Sequence, residues 1–233
     1  MRHIRNFILF FLLMNQMSFA QNVVLSQKKL HILTLGDSNG SFPYSWPQQL
    51  KLALPNADVF NISKSGRTIG FLNLGDTTLN SLLVINDNLK KAADHANGTP
   101  YDFIIIDLGT NDAKAVFANR QEEVVPNFQK LITSIKTCSH EAIKYAKIVI
   151  IAPTPFGTKA EATEKYVGGG ARVKTLSALF KNIATQNNCL FVDGQNIEGL
   201  DIETMTTDGI HLDAVASRKL IETVVATIMN ERR

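Results

Sequence analysis

Four short stretches of this sequence combine glycine with side chains suited to proton transfer and hydrogen bonding. They are Gly36-Asp37-Ser38, Ser65-Gly66-Arg67, Gly109-Thr110-Asn111-Asp112 and Asp208-Gly209-Ile210-His211. Ser38 is the candidate nucleophile for acyl transfer, because a serine hydroxyl attacks a carbonyl once an adjacent base removes its proton. Taken alone, a serine after an apolar run is also an ordinary helix N-cap.

His211 is the candidate base for Ser38. Asp208, three residues earlier, can accept the second imidazole N–H and so fix the tautomer of the ring. The alternative interpretation of His211 is a solvated histidine near a helix start. The other histidines are weaker candidates, since one lies in the N-terminal leader, one ends a helical pattern and two have no matching acid partner: His3, His95, His31 and His140.

Gly66 and Asn111 are candidate donors to the negative charge that develops on a substrate oxygen. Gly66 has no Cβ, so its N–H can approach a substrate closely, and Asn111 offers a side-chain amide. The N–H of Ser38 would be the third donor. The alternatives are a turn glycine and a turn-stabilising amide. Asp37 and Asp112 adjoin these residues, and we expect them to hold the loops by hydrogen bonds.

The elements that must position these residues alternate along the chain. Apolar runs predict strands at 30–36, 58–62, 103–108, 147–152 and 190–193. Helical stripes are marked by Leu79, Leu82, Leu83 and Leu89; by Val124, Val125, Phe128, Leu131, Ile132 and Ile135; by Val173, Leu176, Leu179, Phe180 and Ile183; and by Leu220, Ile221, Val224, Val225 and Ile228. This alternation predicts one doubly wound α/β domain with a parallel sheet, with Asp213 as the N-cap of the last helix.

The N-terminus has the features of a secretory signal peptide over residues 1–20. Arg2 and Arg5 precede a short apolar run, and Ser18-Phe19-Ala20 supplies small residues for cleavage after Ala20. The alternative is a transmembrane anchor, for which the run is short. We therefore expect a periplasmic or secreted protein whose single domain spans residues 21–233, with no stable membrane span after cleavage.

Composition excludes several other classes of protein. The chain of 233 residues is 45% hydrophobic and 19% charged, as in ordinary globular proteins. Without Arg2 and Arg5 it carries 22 basic and 21 acidic residues, so nothing favours nucleic acid as a partner. Cys138 and Cys189 allow a disulfide or two separate buried thiols. No Cys/His spacing suggests a metal site, and we expect no metal or organic cofactor.

The four stretches, in this order, resemble those of the SGNH hydrolase superfamily, also called the GDSL esterases and lipases. The resemblance implies a three-layer α/β/α sandwich of flavodoxin-like type with a five-stranded parallel sheet. It also implies a catalytic triad of Ser38, Asp208 and His211, with Ser38, Gly66 and Asn111 as oxyanion donors. Asn39 departs from the family, where leucine is common. The stretch Gly109–Phe117, with Lys114, and residues 169–172 are similar to small bacterial arylesterases and acetylesterases.

The expected function is an exported carboxylic ester hydrolase that acts through an acyl-serine intermediate. By family analogy the substrate is a small-molecule or carbohydrate ester with a short acyl group, acetyl above all. Alternatives are an acyltransferase on the same triad, or a member of the lysophospholipase or thioesterase type. A carbohydrate-binding or scaffold protein that has lost catalysis is a further alternative, from a different class.

Overall fold

The structure, a computed structural model, describes residues 29–232. The predicted signal peptide and its cleavage site after Ala20 lie outside these residues. Among residues 29–232, no helix is both long enough and apolar enough to cross a lipid bilayer.

A five-stranded parallel sheet runs through the centre of the molecule. Its strands are β1 (His31–Gly36), β2 (Asp58–Asn61), β3 (Phe103–Asp107), β4 (Lys147–Ile151) and β5 (Leu190–Val192). All five were predicted from apolar runs, and each begins or ends within one residue of its predicted bounds. The three middle strands, β1, β3 and β4, are buried on both faces. Their sequences are therefore largely apolar and do not alternate between apolar and polar residues.

Helices cover both faces of this sheet. They are α1 (Ser38–Ser41), α2 (Trp46–Ala53), α3 (Ser81–Ala96), α4 (Val124–Lys136), α5 (Glu141–Lys144), α6 (Thr158–Glu161), α7 (Gly169–Gln186) and α8 (Ala214–Glu231). Short 3₁₀ turns lie at Asn73–Gly75, Thr77–Leu79, Ala115–Glu123 and Gly194–Asn196. Asp213 caps α8 as predicted, because its carboxylate accepts the N–H groups of Val215 and Ala216 at 2.8 Å each.

The two faces of the sheet form two separate apolar clusters. Side chains such as Leu33, Ile104 and Ile148 pack with Phe128 of α4 and Phe180 of α7 on one face. On the other face, neighbouring strand residues pack against α2 and α8, as shown by Ile32, Ile105, Val149, Trp46 and Leu220. The fold is therefore the predicted three-layer α/β/α sandwich.

Three leucines of the helical stripes differ from the predicted pattern. Leu79 lies in a 3₁₀ turn before α3 rather than in the helix, and Leu83 is exposed on the outer face of α3. Leu179 lies at the edge of exposure in α7. Cys138 and Cys189 are free thiols, so the structure favours two separate cysteines, although both are half-buried rather than fully buried.

The strand order places the polar stretches together. The order is β2-β1-β3-β4-β5, so the chain leaves β1 towards one side of the sheet and later returns to its other side as β3. A crevice therefore opens at the carboxyl ends of β1 and β3, where α/β sheets bind their ligands. Gly36 at the end of β1 pairs with Asp107 at the end of β3, so Ser38 and Asn111 emerge next to each other.

Candidate active site

Ser38 lies at the first position of α1, directly after β1. It is the neighbouring Asp37 that caps this helix, with its carboxylate accepting the N–H of Asn39 at 3.0 Å. Ser38 is therefore not the cap, and its side chain is available for other contacts. Only 4% of the residue is exposed, so its hydroxyl is held in a largely dry site.

The Ser38 hydroxyl forms one end of a hydrogen-bonded chain with His211 and Asp208. Ser38 Oγ lies 2.9 Å from His211 Nε2, although the two residues are 173 positions apart. On the other side of the ring, His211 Nδ1 lies 2.5 Å from Asp208 Oδ2. With the Nδ1 proton directed to the carboxylate, Nε2 is left as an acceptor for the serine proton.

Asp208 also fixes the backbone of the loop that carries His211. Its Oδ1 atom accepts the N–H of Ile210 at 3.0 Å and the N–H of His211 at 2.8 Å. Partial burial opposes the ionisation of Asp208, but these hydrogen bonds and the one from the His211 ring outweigh it and lower the pKa of the carboxyl. Asp208 is thus a carboxylate when His211 receives a proton.

Gly66 lies in the loop after β2 and has a φ of +81°, in the left-handed region that favours glycine. Its carbonyl accepts a hydrogen bond from Asn73 Nδ2 at 2.6 Å, which fixes the orientation of the loop. A Cβ atom at this position would lie 3.3 Å from the same Asn73 nitrogen and 3.2 Å from Leu79. The conformation favours glycine, and a Cβ here would make tight contacts with two side chains.

Asn111 bridges the loops that follow β1 and β2. Its Nδ2 atom lies 3.1 Å from the carbonyl of Arg67 and 3.3 Å from Asp37 Oδ2. These contacts place the amide between the neighbours of Ser38 and Gly66. The contact with Asp37 is long for an N–H···O hydrogen bond, so this N–H is only weakly bound.

Asp37 and Asp112 hold loops by hydrogen bonds, as predicted. Both oxygens of Asp112 lie within 3.0 Å of the backbone N of Ile69, at 2.9 and 3.0 Å. Burial raises the pKa of Asp112 to about 7, against the N–H groups of Ile69 and Gly70, which lower it. Burial likewise raises the pKa of Asp37 to about 6.

Lys114 extends the polar network beneath the Gly66 loop. Its ammonium group is buried and donates to Asn73 Oδ1 at 3.1 Å, and Asn73 in turn donates to Gly66. Burial and the nearby charge of Lys165 lower the pKa of Lys114 to about 8, while Asp37 and Asp112 oppose that shift. The role of Asn73 was not predicted, since a loop asparagine has no spacing signal of its own.

Asn39 is the second residue whose role the sequence did not reveal. Its side chain donates to the carbonyl of Ile210 at 3.2 Å and accepts the N–H of Leu212 at 2.9 Å. One amide therefore grips the backbone on both sides of His211. The side chain of Asn39 therefore links the helix that carries Ser38 directly to the loop that carries His211.

One expectation about the other histidines was wrong. His31 was expected to lack an acid partner, but its Nδ1 atom lies 3.5 Å from Asp58 Oδ2. The reason is the β1–β2 register, which pairs His31 with Asp58 across the sheet. His95 lies 3.3 Å from the same carboxylate. These histidines lie at the amino ends of the strands, away from Ser38.

The fold is a three-layer α/β/α sandwich, and it brings a hydrogen-bonded serine, histidine and aspartate together at the carboxyl edge of its parallel sheet. Residues 32–219 match the model of the GDSL-like lipase/acylhydrolase family. The chain belongs to that family and is a carboxylic ester hydrolase of the SGNH type.

Solved structures of esterases share this fold. Est24, a carbohydrate acetylesterase from Sinorhizobium meliloti, is 25% identical with a TM-score of 0.72, over 87% of this chain and 100% of that chain. The native aryl esterase of M. smegmatis is also 25% identical, with a TM-score of 0.64, over 87% of this chain and 98% of that chain. A search of curated proteins found no match.

Replacing Asn39 by leucine tests the grip on the histidine loop. Asn39→Leu leaves the N–H of Leu212 and the carbonyl of Ile210 unpaired in a buried site, which costs about 1–3 kcal/mol of stability for each group. We also expect turnover of a short-chain p-nitrophenyl ester to fall roughly ten- to hundredfold, because His211 is no longer held in place. Thermal unfolding and steady-state kinetics measure the two effects.

Asn88→Leu is the matched control for this variant. Asn88 is a buried asparagine of α3 whose Nδ2 has no hydrogen-bond partner. It should leave turnover at the wild-type level. Full activity in a folded Asn39→Leu protein would contradict a positioning role for Asn39.

The buried carboxyl of Asp112 predicts a pH-dependent stability. Its pKa is raised from 3.8 to about 7, so the folded protein binds the proton more tightly than the unfolded chain. The resulting stabilisation is present below about pH 4 and is lost as the pH rises through about 7. We expect Asp112→Asn to flatten the unfolding free energy between these limits in denaturant titrations.

The exposed Asp94 provides the control for this titration. Asp94 of α3 pairs with Lys90 at 2.8 Å on the surface, where its side chain is 65% exposed. Asp94→Asn should leave the pH dependence unchanged. An Asp112→Asn profile as steep as that of the wild type would rule out Asp112 as its source.

Proposed function

We propose that the protein is an exported serine esterase that removes short acyl groups, acetyl above all, from carbohydrate esters. The observation that carries the proposal is the chain of contacts from Ser38 through His211 to Asp208, at 2.9 and 2.5 Å. Nucleophile, base and orienting acid are thereby within hydrogen-bonding distance of one another before any substrate binds.

In the first half of the proposed reaction, His211 Nε2 takes the proton of Ser38 as Oγ attacks the ester carbonyl. The C–O bond to the alcohol then breaks, and His211 returns the proton to the leaving oxygen. The acyl group is left on Ser38. In the second half, water replaces the alcohol, His211 activates it, and the acid is released with Ser38 restored.

Three donors are proposed to stabilise the tetrahedral intermediate: the N–H groups of Ser38 and Gly66 and the Asn111 amide. Support comes from the position of Asn111, which touches residues adjoining both Ser38 and Gly66. Such donors are effective because they are fixed in a water-poor site before charge develops. The buried charge of Lys114, linked through Asn73 to the Gly66 loop, adds positive potential on the same side.

The proposed substrate class draws on the comparisons and on the sequence. One similar structure is described as a carbohydrate acetylesterase and another as an aryl esterase, and both share this fold. The predicted signal peptide, residues 1–20, would place a single domain of residues 21–233 in the periplasm or outside the cell. A mature chain that begins at Gln21 is the outcome that this requires.

The same triad would support an acyltransferase, in which a sugar hydroxyl replaces water in the second half-reaction. Measuring acid release with and without added acceptor sugars separates the two functions. Turnover as a function of acyl-chain length separates an acetylesterase from an enzyme of the lysophospholipase or thioesterase type. The first would prefer acetyl substrates and the second long-chain substrates.

Ser38→Ala tests the proposed function directly. It removes the nucleophilic oxygen and leaves the Asp37 cap in place, so turnover of p-nitrophenyl acetate should fall to background while the fold is retained. Circular dichroism and steady-state kinetics together measure this. Ser41→Ala, in the exposed last position of α1, is the control and should retain activity. Turnover by a folded Ser38→Ala protein would end the proposal.

Asn111→Ala tests the oxyanion donor. Loss of one such donor lowers kcat by about 10²–10³, with KM little changed, because the interaction strengthens only as charge develops. Steady-state kinetics on a short-chain ester measure both constants. A decrease below tenfold would reduce Asn111 to its structural contacts with Asp37 and Arg67.

A further inference from the structure

Two aromatic rings extend outward from the active-site histidine. The Phe42 ring packs against the His211 ring, with centroids 5.2 Å apart and planes at 71°. The Tyr44 ring stacks on Phe42 at 5.7 Å and 26°, and Tyr44 is 44% exposed. Phe42 and Tyr44 together form an aromatic shelf beside the site, which the proposed mechanism does not use.

The backbone holds this shelf in place. In the sequence, Pro43 separates Phe42 from Tyr44. The three residues lie in a turn that is closed by a hydrogen bond from the Ser45 N–H to the Phe42 carbonyl at 3.1 Å. The carbonyl of Gly40, two residues before Phe42, accepts hydrogen bonds from Ser45 Oγ at 3.2 Å and from Asn61 Nδ2 at 2.8 Å. The rings are therefore ordered before a ligand arrives, which lowers the entropic cost of binding one.

The contact between Phe42 and His211 indicates which part of a bound ester would lie next to the aromatic shelf. His211 Nε2 hands its proton to the leaving alcohol, so the alcohol oxygen must come within hydrogen-bonding distance of that nitrogen. The acyl carbonyl instead faces the oxyanion donors around Gly66 and Asn111. A surface that packs on the His211 ring therefore adjoins the alcohol part of the substrate.

We propose that the aromatic shelf binds the sugar ring of the leaving alcohol, an inference that rests on the proposed esterase function. The π face of an aromatic ring carries partial negative charge, which suits the polarised C–H groups on one face of a pyranose. The Tyr44 hydroxyl makes no hydrogen bond within residues 29–232, so it is available to a sugar hydroxyl. Tyr44 is thus a specificity-determining residue for the alcohol.

The test compares three acetyl esters that differ only in the alcohol: an acetylated methyl xyloside, p-nitrophenyl acetate and ethyl acetate. All three pass through the same acetyl-Ser38 intermediate, so differences in kcat/KM report the alcohol. For Tyr44→Ala, we expect the kcat/KM ratio of the xyloside ester to ethyl acetate to fall roughly three- to tenfold. Tyr44→Phe keeps the stacked ring and should retain most of the ratio.

Tyr145→Ala is the matched control. Tyr145 is 78% exposed and lies just before β4, at the opposite end of the strands from Ser38. Its removal should leave the ratio at the wild-type value. Phe42 is unsuitable as the test position, because it touches His211 and its loss would slow all three esters.

Several results would overturn the shelf. An unchanged ratio in Tyr44→Ala, an equal fall for all three esters, or a fall confined to p-nitrophenyl acetate would each contradict a sugar-binding role. So would a wild-type enzyme that cleaves ethyl acetate but not the xyloside ester. Failure of the underlying esterase activity is distinguishable, because the wild-type protein would then cleave none of the three esters.

Discussion

The site depends on one constraint, the close parallel pairing of β1 and β3 at their carboxyl ends. Gly36 and Asp107 are register partners, and a Cβ at Gly36 would lie 3.2 Å from the Asp107 carbonyl and 3.0 Å from Ser63 Oγ. Glycine therefore allows the two strands to end side by side with the next loop packed against them. The chain then turns at once into α1 on one side and into the Asn111 loop on the other, and this brings the Ser38 hydroxyl and the Asn111 amide to one crevice.

Beneath that crevice lies a group of buried polar and charged side chains. Asp37, Asp112 and Lys114 are all buried. Burial favours the neutral form of each, so it raises the pKa of both aspartates and lowers the pKa of Lys114. The charge of Lys114 opposes the shift of Asp37, and the charges of Asp37 and Asp112 oppose the shift of Lys114, whereas the charge of Asp37 raises the pKa of Asp112 further. Fixed dipoles and charges of this kind need no rearrangement when an oxyanion forms, and in a site of low dielectric they act more strongly than in water.

Much of this arrangement could be predicted from the sequence, because it is encoded locally. The strands are apolar runs such as Ile104-Ile105-Ile106, the cap of α8 is the Asp213 before it, and Asp208 lies three residues from His211. The unpredicted features are contacts between distant segments: Asn39 reaches the loop 171 residues later, Asn73 joins Lys114 to Gly66, and Asp58 meets His31 across the sheet. Single loop residues carry no periodicity, so only the tertiary fold shows which backbone groups they meet.

Asn39 shows why such contacts matter for the chemistry. Ser38 and His211 lie near opposite ends of the sequence of the domain. The 2.9 Å contact between them is a single hydrogen bond in a site that water or substrate must enter. In the proposed mechanism that bond is exchanged during each proton transfer, so it cannot itself keep the two residues in position. The Asn39 amide, which is 5% exposed and bound to the backbone on both sides of His211, is not exchanged. Because Asn39 adjoins Ser38 in α1, its two hydrogen bonds help to set the distance between Ser38 and His211, and the proposed mechanism does not require either of them to break.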